Sequence, residues 1–199
     1  MNENRRSTLE DIVLLVLYHS RDRRLPGRTV FQKTIYLIDK IVGLKRFTGH
    51  DIKFRSYYYG PYSQLLANAV AELKGWGLVD EEVVRRDPFI YGNTEELTRT
   101  DLIMVSGVEK IAEELAGSFP ELSEAIAGVI GKLRELGIDQ SYRTLSLAAK
   151  VHYILEREGR TMTDAEIRKA AEKLSWQLSA DDINGVAPFL ERLGLVKKK

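Results

Sequence analysis

The stretch from Phe54 to Trp76 constrains the fold most, because it joins a strand pattern to a helical pattern across one corner. We interpret residues 54–59 as a β-strand, with Arg55, Tyr57 and Tyr59 on one face and Phe54, Ser56 and Tyr58 on the other. After Gly60-Pro61, apolar residues recur at helical spacing. Proline suits the first position of a helix, so we expect Pro61 to begin this helix and Gly60 or a neighbouring residue to cap it.

Two helical patterns precede this stretch, at about residues 7–20 and 30–42. The first leaves almost no polar face, which predicts a central, buried helix. Both patterns open with a Ser or Thr followed three residues later by Glu or Gln, the signature of a capping box. The two pairs are Ser7 with Glu10 and Thr29 with Gln32.

A strand-like hairpin follows, at about Leu78–Val84 and Ile90–Leu97, with its tip near residues 85–88. Three helices and a hairpin in this order predict a winged helix-turn-helix. In that fold, the helix after the Gly-Pro corner is the third helix, whose outer face would meet a DNA groove.

From Asp101 the pattern is helical, with helices at about 105–115 and 120–136. The second has an apolar seam of about two heptads, which can serve packing within the chain or a dimer contact. The last third predicts helices at about 145–158, after Thr163 and at 180–193. Gly194-Leu195-Val196 also repeats Gly77-Leu78-Val79, so we infer a second helix-turn-helix-like unit. The seam residues are Leu122, Ile126, Val129, Leu133 and Leu136.

The predicted fold class is therefore α+β and mainly helical. A winged helix-turn-helix-like unit with a β-hairpin wing spans residues 1–100, connecting helices span 101–140, and a second helical unit spans 141–199. No apolar run is long enough to cross a bilayer, and the first residues are polar, so we expect a soluble cytoplasmic protein.

Composition argues against several kinds of chemistry. The chain has no cysteine, which excludes disulfides, thiolate catalysis and cysteine zinc sites. Its three histidines, His19, His50 and His152, are isolated in sequence. There is no glycine-rich phosphate loop and no nucleophile elbow. We therefore predict a protein that is not an enzyme, with no catalytic, metal or cofactor-binding residue.

The charge pattern raises the question of nucleic acid. Net charge is only +1, but residues 21–55 contain ten Lys and Arg against three Asp and Glu. Arginines there and at the wing tip are candidate phosphate contacts, strand tyrosines could stack on bases, and third-helix amides could read base edges. The candidates are Arg21, Arg23, Arg24, Arg28, Arg55, Tyr57, Tyr59, Gln64, Asn68, Arg85 and Arg86.

Two motifs resemble a known family. Phe31-Gln32-Lys33-Thr34-Ile35-Tyr36-Leu37 resembles the L-Q-K-x-[LI]-Y-[LF] core of the Panacea (SocA-type antitoxin) domain, and Tyr58–Ser63 resembles its aromatic Y-G-P element. Together with residues 145–151, the chain is similar to uncharacterised prokaryotic proteins of the YwgA type. The resemblance implies a winged-helix-like α+β fold and a regulatory or antitoxin-associated role, with no settled biochemical activity.

Two functions remain open from the sequence. The first is a non-enzymatic, DNA-associated regulator of transcription. The alternative is a protein-binding module, antitoxin-like, that neutralises or recruits a partner, because winged helices bind proteins as well as DNA. The outer face of the third helix is polar but nearly uncharged, which suits either partner. A homodimer is compatible with both.

Overall fold

The computed structural model describes residues 6–86 and 97–196. This part of the chain is mainly helical with a small antiparallel sheet, as the α+β prediction requires. The helices are α1 Leu9–His19, α2 Arg28–Val42, α3 Lys45–Thr48, α4 Gln64–Gly75, α5 Glu109–Ser118, α6 Pro120–Glu135, α7 Tyr142–Glu158, α8 Asp164–Glu172 and α9 Ala180–Arg192. The strands are β1 Arg24–Leu25, β2 Arg55–Tyr57, β3 Gly60–Tyr62, β4 Val79–Arg86 and β5 Leu97–Met104.

Helix α1 is the centre of the larger hydrophobic core, as its apolar sequence predicts. Residues 12–17 are all buried, and the helix contacts α4, α5, α6 and β5. The capping box lies one residue later than predicted. Thr8 accepts a hydrogen bond from the Asp11 N–H, and the Asp11 carboxylate accepts one from the Thr8 N–H. Ser7 is instead buried before the helix.

The Gly60-Pro61 corner is not the start of a helix, so that prediction is wrong. Both residues belong to β3, where Pro61 is opposite Ser56 and Gly60 is opposite Tyr57. Helix α4 begins only at Gln64, with Ser63 as its N-cap residue. Gly60 has φ of 104°, a conformation that favours glycine and that here follows a tight hairpin turn.

The strands predicted to form the wing differ from the prediction in their positions. Strand β4 pairs with β5 over eight residue pairs, from Val79 opposite Met104 to Arg86 opposite Leu97. The predicted second strand, 90–97, lies almost entirely outside the described residues. Strand β5 continues to Met104, where a helical pattern was predicted from Asp101, and α5 begins at Glu109. Strand β1 completes a sheet of order β1-β5-β4.

The carboxyl-terminal helices agree closely with the sequence prediction. Helices α7, α8 and α9 occupy the three predicted segments, and capping boxes begin α8 at Thr163 and α9 at Ser179. They enclose a second, smaller cluster of buried side chains, which includes Trp176, Ile167 and Val186.

The repeated Gly-Leu-Val sequence marks two similar helix ends. The Leu78 N–H bonds to the Leu73 carbonyl, and the Leu195 N–H bonds to the Leu190 carbonyl. Both are six-residue closures with a glycine of positive φ before the last residue. Helix α6 ends in the same way, where the Ile138 N–H bonds to the Leu133 carbonyl. The repetition is thus a common way of ending a helix.

The apolar seam of α6 packs inside the chain, which favours the first of its two predicted uses. Leu122, Ile126, Val129 and Leu133 are buried in the larger core, where α6 contacts α1 and α2. None of the helices in the described ranges is long and apolar enough to cross a membrane.

Truncating the seam should destabilise the single chain. Leu133→Ala removes a buried side chain and should lower the free energy of unfolding by about 2–5 kcal/mol. Ile111→Ala, at a largely exposed side chain of α5, should cost well under half as much. Urea unfolding measures both. A midpoint that rises with protein concentration would show that the seam stabilises a dimer instead.

Candidate interaction surface

A short hairpin, β2–β3, presents most of the exposed aromatic rings among the described residues. Tyr57, Tyr58 and Tyr59 are 53%, 74% and 55% exposed, and Tyr142 at the start of α7 is 49% exposed. The Tyr57 ring contacts those of Tyr58 and Tyr62, and the Tyr59 ring contacts that of Tyr142. We call these five residues the tyrosine surface.

The backbone behind this surface is held by a buried side chain of α2. The Gln32 amide donates a hydrogen bond to the Ser63 carbonyl (3.0 Å) and accepts one from the Ser63 N–H (2.9 Å). Both residues are buried, so the Gln32 amide and the backbone groups of Ser63 satisfy one another. The predicted capping role of Gln32 is wrong, because α2 begins at Arg28 after Gly27, and Gln32 faces the hairpin.

The next residue, Lys33, also bonds to the hairpin. Its buried Nζ donates to the Pro61 carbonyl at 2.8 Å. A Cβ atom at Gly60 would lie 3.1 Å from both Lys33 Cε and Lys150 Cγ, so the hairpin passes closely between α2 and α7. Burial, reinforced by the charge of Lys150, lowers the pKa of Lys33 to about 7. Burial also lowers the pKa of Lys150.

The smaller core supports the hairpin from the other side. Trp176, which is fully buried, donates its indole N–H to the Tyr57 carbonyl at 2.7 Å. The Lys150 ammonium lies 5.6 Å from the centre of the Trp176 ring, within the range of a cation–π interaction. The hairpin is therefore bonded both to α2 and to Trp176 of the smaller cluster, while its tyrosines remain exposed.

A buried polar pair joins α2 to α7 beneath the hairpin. The Tyr36 hydroxyl and His152 Nδ1 are 2.8 Å apart, and the Tyr36 ring meets Phe54 edge to face. Burial raises the pKa of Tyr36 and lowers the pKa of His152, so both groups are held neutral. The hydrogen bond to Tyr36 explains why His152 is buried here. His19 is likewise bonded within the fold, because its Nε2 is 2.8 Å from Ser123 Oγ.

Three of the four arginines of residues 21–28 that were predicted to contact phosphate are already paired with carboxylates. They bridge the start of α2 to the sheet and to residue 139, which explains their positions structurally. Only Arg23 of these four is exposed without an ion pair to the residues that the structure describes. The pairs are Arg21–Asp139 (3.6 Å), Arg24–Asp101 (3.5 Å), Arg24–Glu82 and Arg28–Glu81 (2.7 Å).

The remaining predicted residues fall into two places. Arg55, Tyr57 and Tyr59 are exposed together on the hairpin. Gln64 adjoins them, since Tyr62 donates to its Oε1 at 3.4 Å, while its amide donates to Asn68 at 3.0 Å.

Arg85 and Arg86 lie at the end of β4, apart from the hairpin in sequence and in a different sheet. Their side chains are outside the described part of the structure.

Sequence reasoning missed the residues that organise the surface. Tyr58, Tyr62 and Tyr142 were not predicted, and Tyr142 had no signal because it approaches Tyr59 only through the fold. Gln32 and Lys33 did carry a signal. They belong to one of the two motifs of the family resemblance, and they bond to the other motif. Among the described residues, no group of histidines and carboxylates could hold a metal ion.

Neither a protein-family model nor a curated protein matches this chain.

Replacing Gln32 should destabilise the fold more than replacing an exposed glutamine. Gln32→Met keeps the side-chain length but leaves the buried Ser63 N–H without its partner. The expected loss is about 1–3 kcal/mol of unfolding free energy. The matched variant Gln64→Met, on the exposed face of α4, should change it by less than about 0.5 kcal/mol. Equal losses in urea unfolding would contradict this role of Gln32.

Lys33 should make stability depend on pH. Its pKa is about 7 in the folded chain, below the ordinary value of a lysine. Between these two values the unfolded chain binds a proton that the folded chain does not, so stability rises with pH. The rise is at most about 1.4 kcal/mol per pH unit.

Comparing variants tests whether Lys33 causes this dependence of stability on pH. Urea unfolding between about pH 7 and 9 should show the rise in the wild type and in Lys45→Met, a variant at an exposed lysine. Lys33→Met should lack the same increment, because methionine does not titrate. Parallel stability curves for all three proteins would show that Lys33 stays charged in the fold.

Proposed function

We propose that this protein is a non-enzymatic, winged-helix-like regulator that acts by binding a partner protein through the tyrosine surface. One observation carries the proposal: the exposed rings of Tyr57, Tyr58 and Tyr59 stand on a hairpin whose backbone is held by three buried side chains, two from α2 and one from the segment between α8 and α9. A toxin protein is one such partner that the family resemblance implies.

The physical case rests on preorganisation. Tyrosine is enriched at protein interfaces because it offers a large contact area with few rotatable bonds and one polar end. Binding is weakened by the entropy lost when a mobile loop becomes ordered. The bonds of Gln32, Lys33 and Trp176 fix the hairpin before any partner arrives. Exposed aromatic rings on such a support suit the centre of an interface.

DNA binding is the second candidate function, and the sheet provides the observation that favours it. Strand β1 pairs with β5, and β5 pairs with β4, which ends at Arg85 and Arg86. Arg24 of β1 and the two arginines of β4 therefore belong to one sheet, and Arg21, Arg23 and Arg28 flank β1 in sequence. The ion pairs of Arg21, Arg24 and Arg28 weigh against it, because a phosphate would have to compete with carboxylates for them.

Removing two exposed rings should abolish partner binding without unfolding the protein. We expect Tyr58→Ser combined with Tyr59→Ser to lose a partner that the wild type captures from an extract of its native cells. Each ring lost from an interface centre typically costs about 1–2 kcal/mol, so the Kd for the purified partner should rise at least about tenfold. Affinity capture followed by titration calorimetry measures both.

The control is an exposed aromatic residue elsewhere. Trp76, 61% exposed, lies at the opposite end of α4 from the hairpin, about 18 Å along the helix. Trp76→Ser should retain the partner. Equal capture by the double tyrosine variant would overturn the proposal.

Fluorescence anisotropy with mixed-sequence duplex DNA tests DNA binding, the second candidate function. Binding that weakens steeply with salt, and that neutralising Arg21, Arg23, Arg24 and Arg28 abolishes, would favour DNA as the partner. If neutralising these arginines leaves DNA affinity unchanged, this cluster is not the contact.

A further inference from the structure

A second feature of the chain, away from the exposed rings of the hairpin, is a cavity of about 410 Å³. It lies between the first turns of α2, the middle of α4 and the sheet. Its volume is within the range of sites that hold small molecules. The lining residues are Arg28, Phe31, Gln32, Tyr62, Ala67, Val70, Ala71, Lys74, Glu81 and Leu102.

The interior of the cavity is mainly apolar. Phe31 and Leu102, both buried, come from α2 and β5, and Val70 comes from α4. Helix α4 contributes two alanines, Ala67 and Ala71, which are one turn apart and therefore lie on the same face. Their small side chains leave open the space that larger residues would fill. Burying the apolar body of a ligand here would be favourable, because it removes apolar surface from water.

Charged side chains are placed together on the same cavity wall. Glu81 accepts hydrogen bonds from Arg28 Nε at 2.7 Å, from Arg28 Nη2 at 3.0 Å and from Lys74 Nζ at 2.6 Å. The bond from Arg28 is the main reason that the pKa of Glu81 falls to about 2, so the carboxylate stays ionised. Two cations and one anion leave a net charge of +1 at this wall.

Arg28 and Lys74 have N–H donors that their bonds to Glu81 do not use. A guanidinium has five N–H groups and an ammonium has three, and the bonds to Glu81 use two of the first and one of the second. The Arg28 side chain is also largely exposed. An incoming carboxylate could bond to the unused donors without displacing Glu81. Such charge-assisted bonds are stronger than neutral ones and select an anion over a cation.

We propose that this cavity binds a small amphipathic carboxylate, with its apolar body against Phe31, Val70 and Leu102 and its carboxylate on Arg28 and Lys74. A net positive wall disfavours an organic cation, and an apolar interior disfavours a bare inorganic anion. Binding of a ligand in this cavity requires no partner protein. The cavity nevertheless shares Tyr62 with the tyrosine surface, and Gln32 both lines the cavity and holds the hairpin.

The test uses three probes of the same shape and different charge: 3-phenylpropionate, its neutral amide, and 3-phenylpropylamine. Titration calorimetry and saturation-transfer NMR on the full chain measure their binding. The acid should bind with a Kd at least about tenfold lower than the amide, because it alone gains the charge-assisted bonds. The amine should bind more weakly still. Equal affinity for acid and amide, or no binding of the acid, would overturn the proposal.

Two variants locate the site. Ala71→Leu puts a good helix former at an exposed position of α4 and fills the cavity, so binding of the acid should be lost. Lys74→Met should weaken binding of the acid about tenfold while leaving that of the amide unchanged. Lys132→Met, at an exposed lysine of α6, is the matched control and should bind as the wild type does. Undiminished binding to Ala71→Leu would place the probe elsewhere and refute the assignment.

Discussion

The hydrogen bonds between the Gln32 amide and the backbone of Ser63 are the constraint on which the rest of the site depends. A hairpin with strands of three residues is not stable alone. Here it is stabilised because α2 places two polar side chains, those of Gln32 and Lys33, against it. Lys33 bonds to the Pro61 carbonyl, and Trp176 bonds to the Tyr57 carbonyl from the smaller core. The hairpin thereby contacts the segments that surround both hydrophobic clusters, which α7 also joins.

The sequence predicts this fold well where local signals decide the structure. Thr163 and Ser179 begin α8 and α9 because their side chains satisfy N–H groups within the same turn. Prediction from the sequence fails where contacts with residues far along the chain determine the local structure. Gly60-Pro61 fits either a helix start or a hairpin, and in the hairpin it is bonded to α2, nearly thirty residues earlier in the chain. Likewise, a helical pattern was predicted from Asp101, but Asp101 is buried in β5, where Arg24 and Arg99 pair with it.

The candidate surface is predictable only in part for a related reason. Tyr57 and Tyr59 could be proposed from an alternating strand pattern, and they are exposed as a binding role requires. Tyr142 contacts Tyr59 although it is more than eighty positions further along the chain, and no local sequence pattern predicts that contact. The arginines show the opposite limitation. A basic segment suggests phosphate contacts, whereas the carboxylates that pair with Arg24 and Arg28 come from β4 and β5, far along the chain.

The positions of the two tryptophans give the molecule an internal optical reporter. Indole emission depends on whether the ring is in water or in an apolar environment. Trp176 is buried and bonded to the hairpin, while Trp76 is largely exposed at the far end of α4. A water-soluble quencher would therefore suppress the emission of Trp76 first. The light that remains would come from Trp176, and its wavelength would follow the docking of the hairpin on the smaller core without any added label.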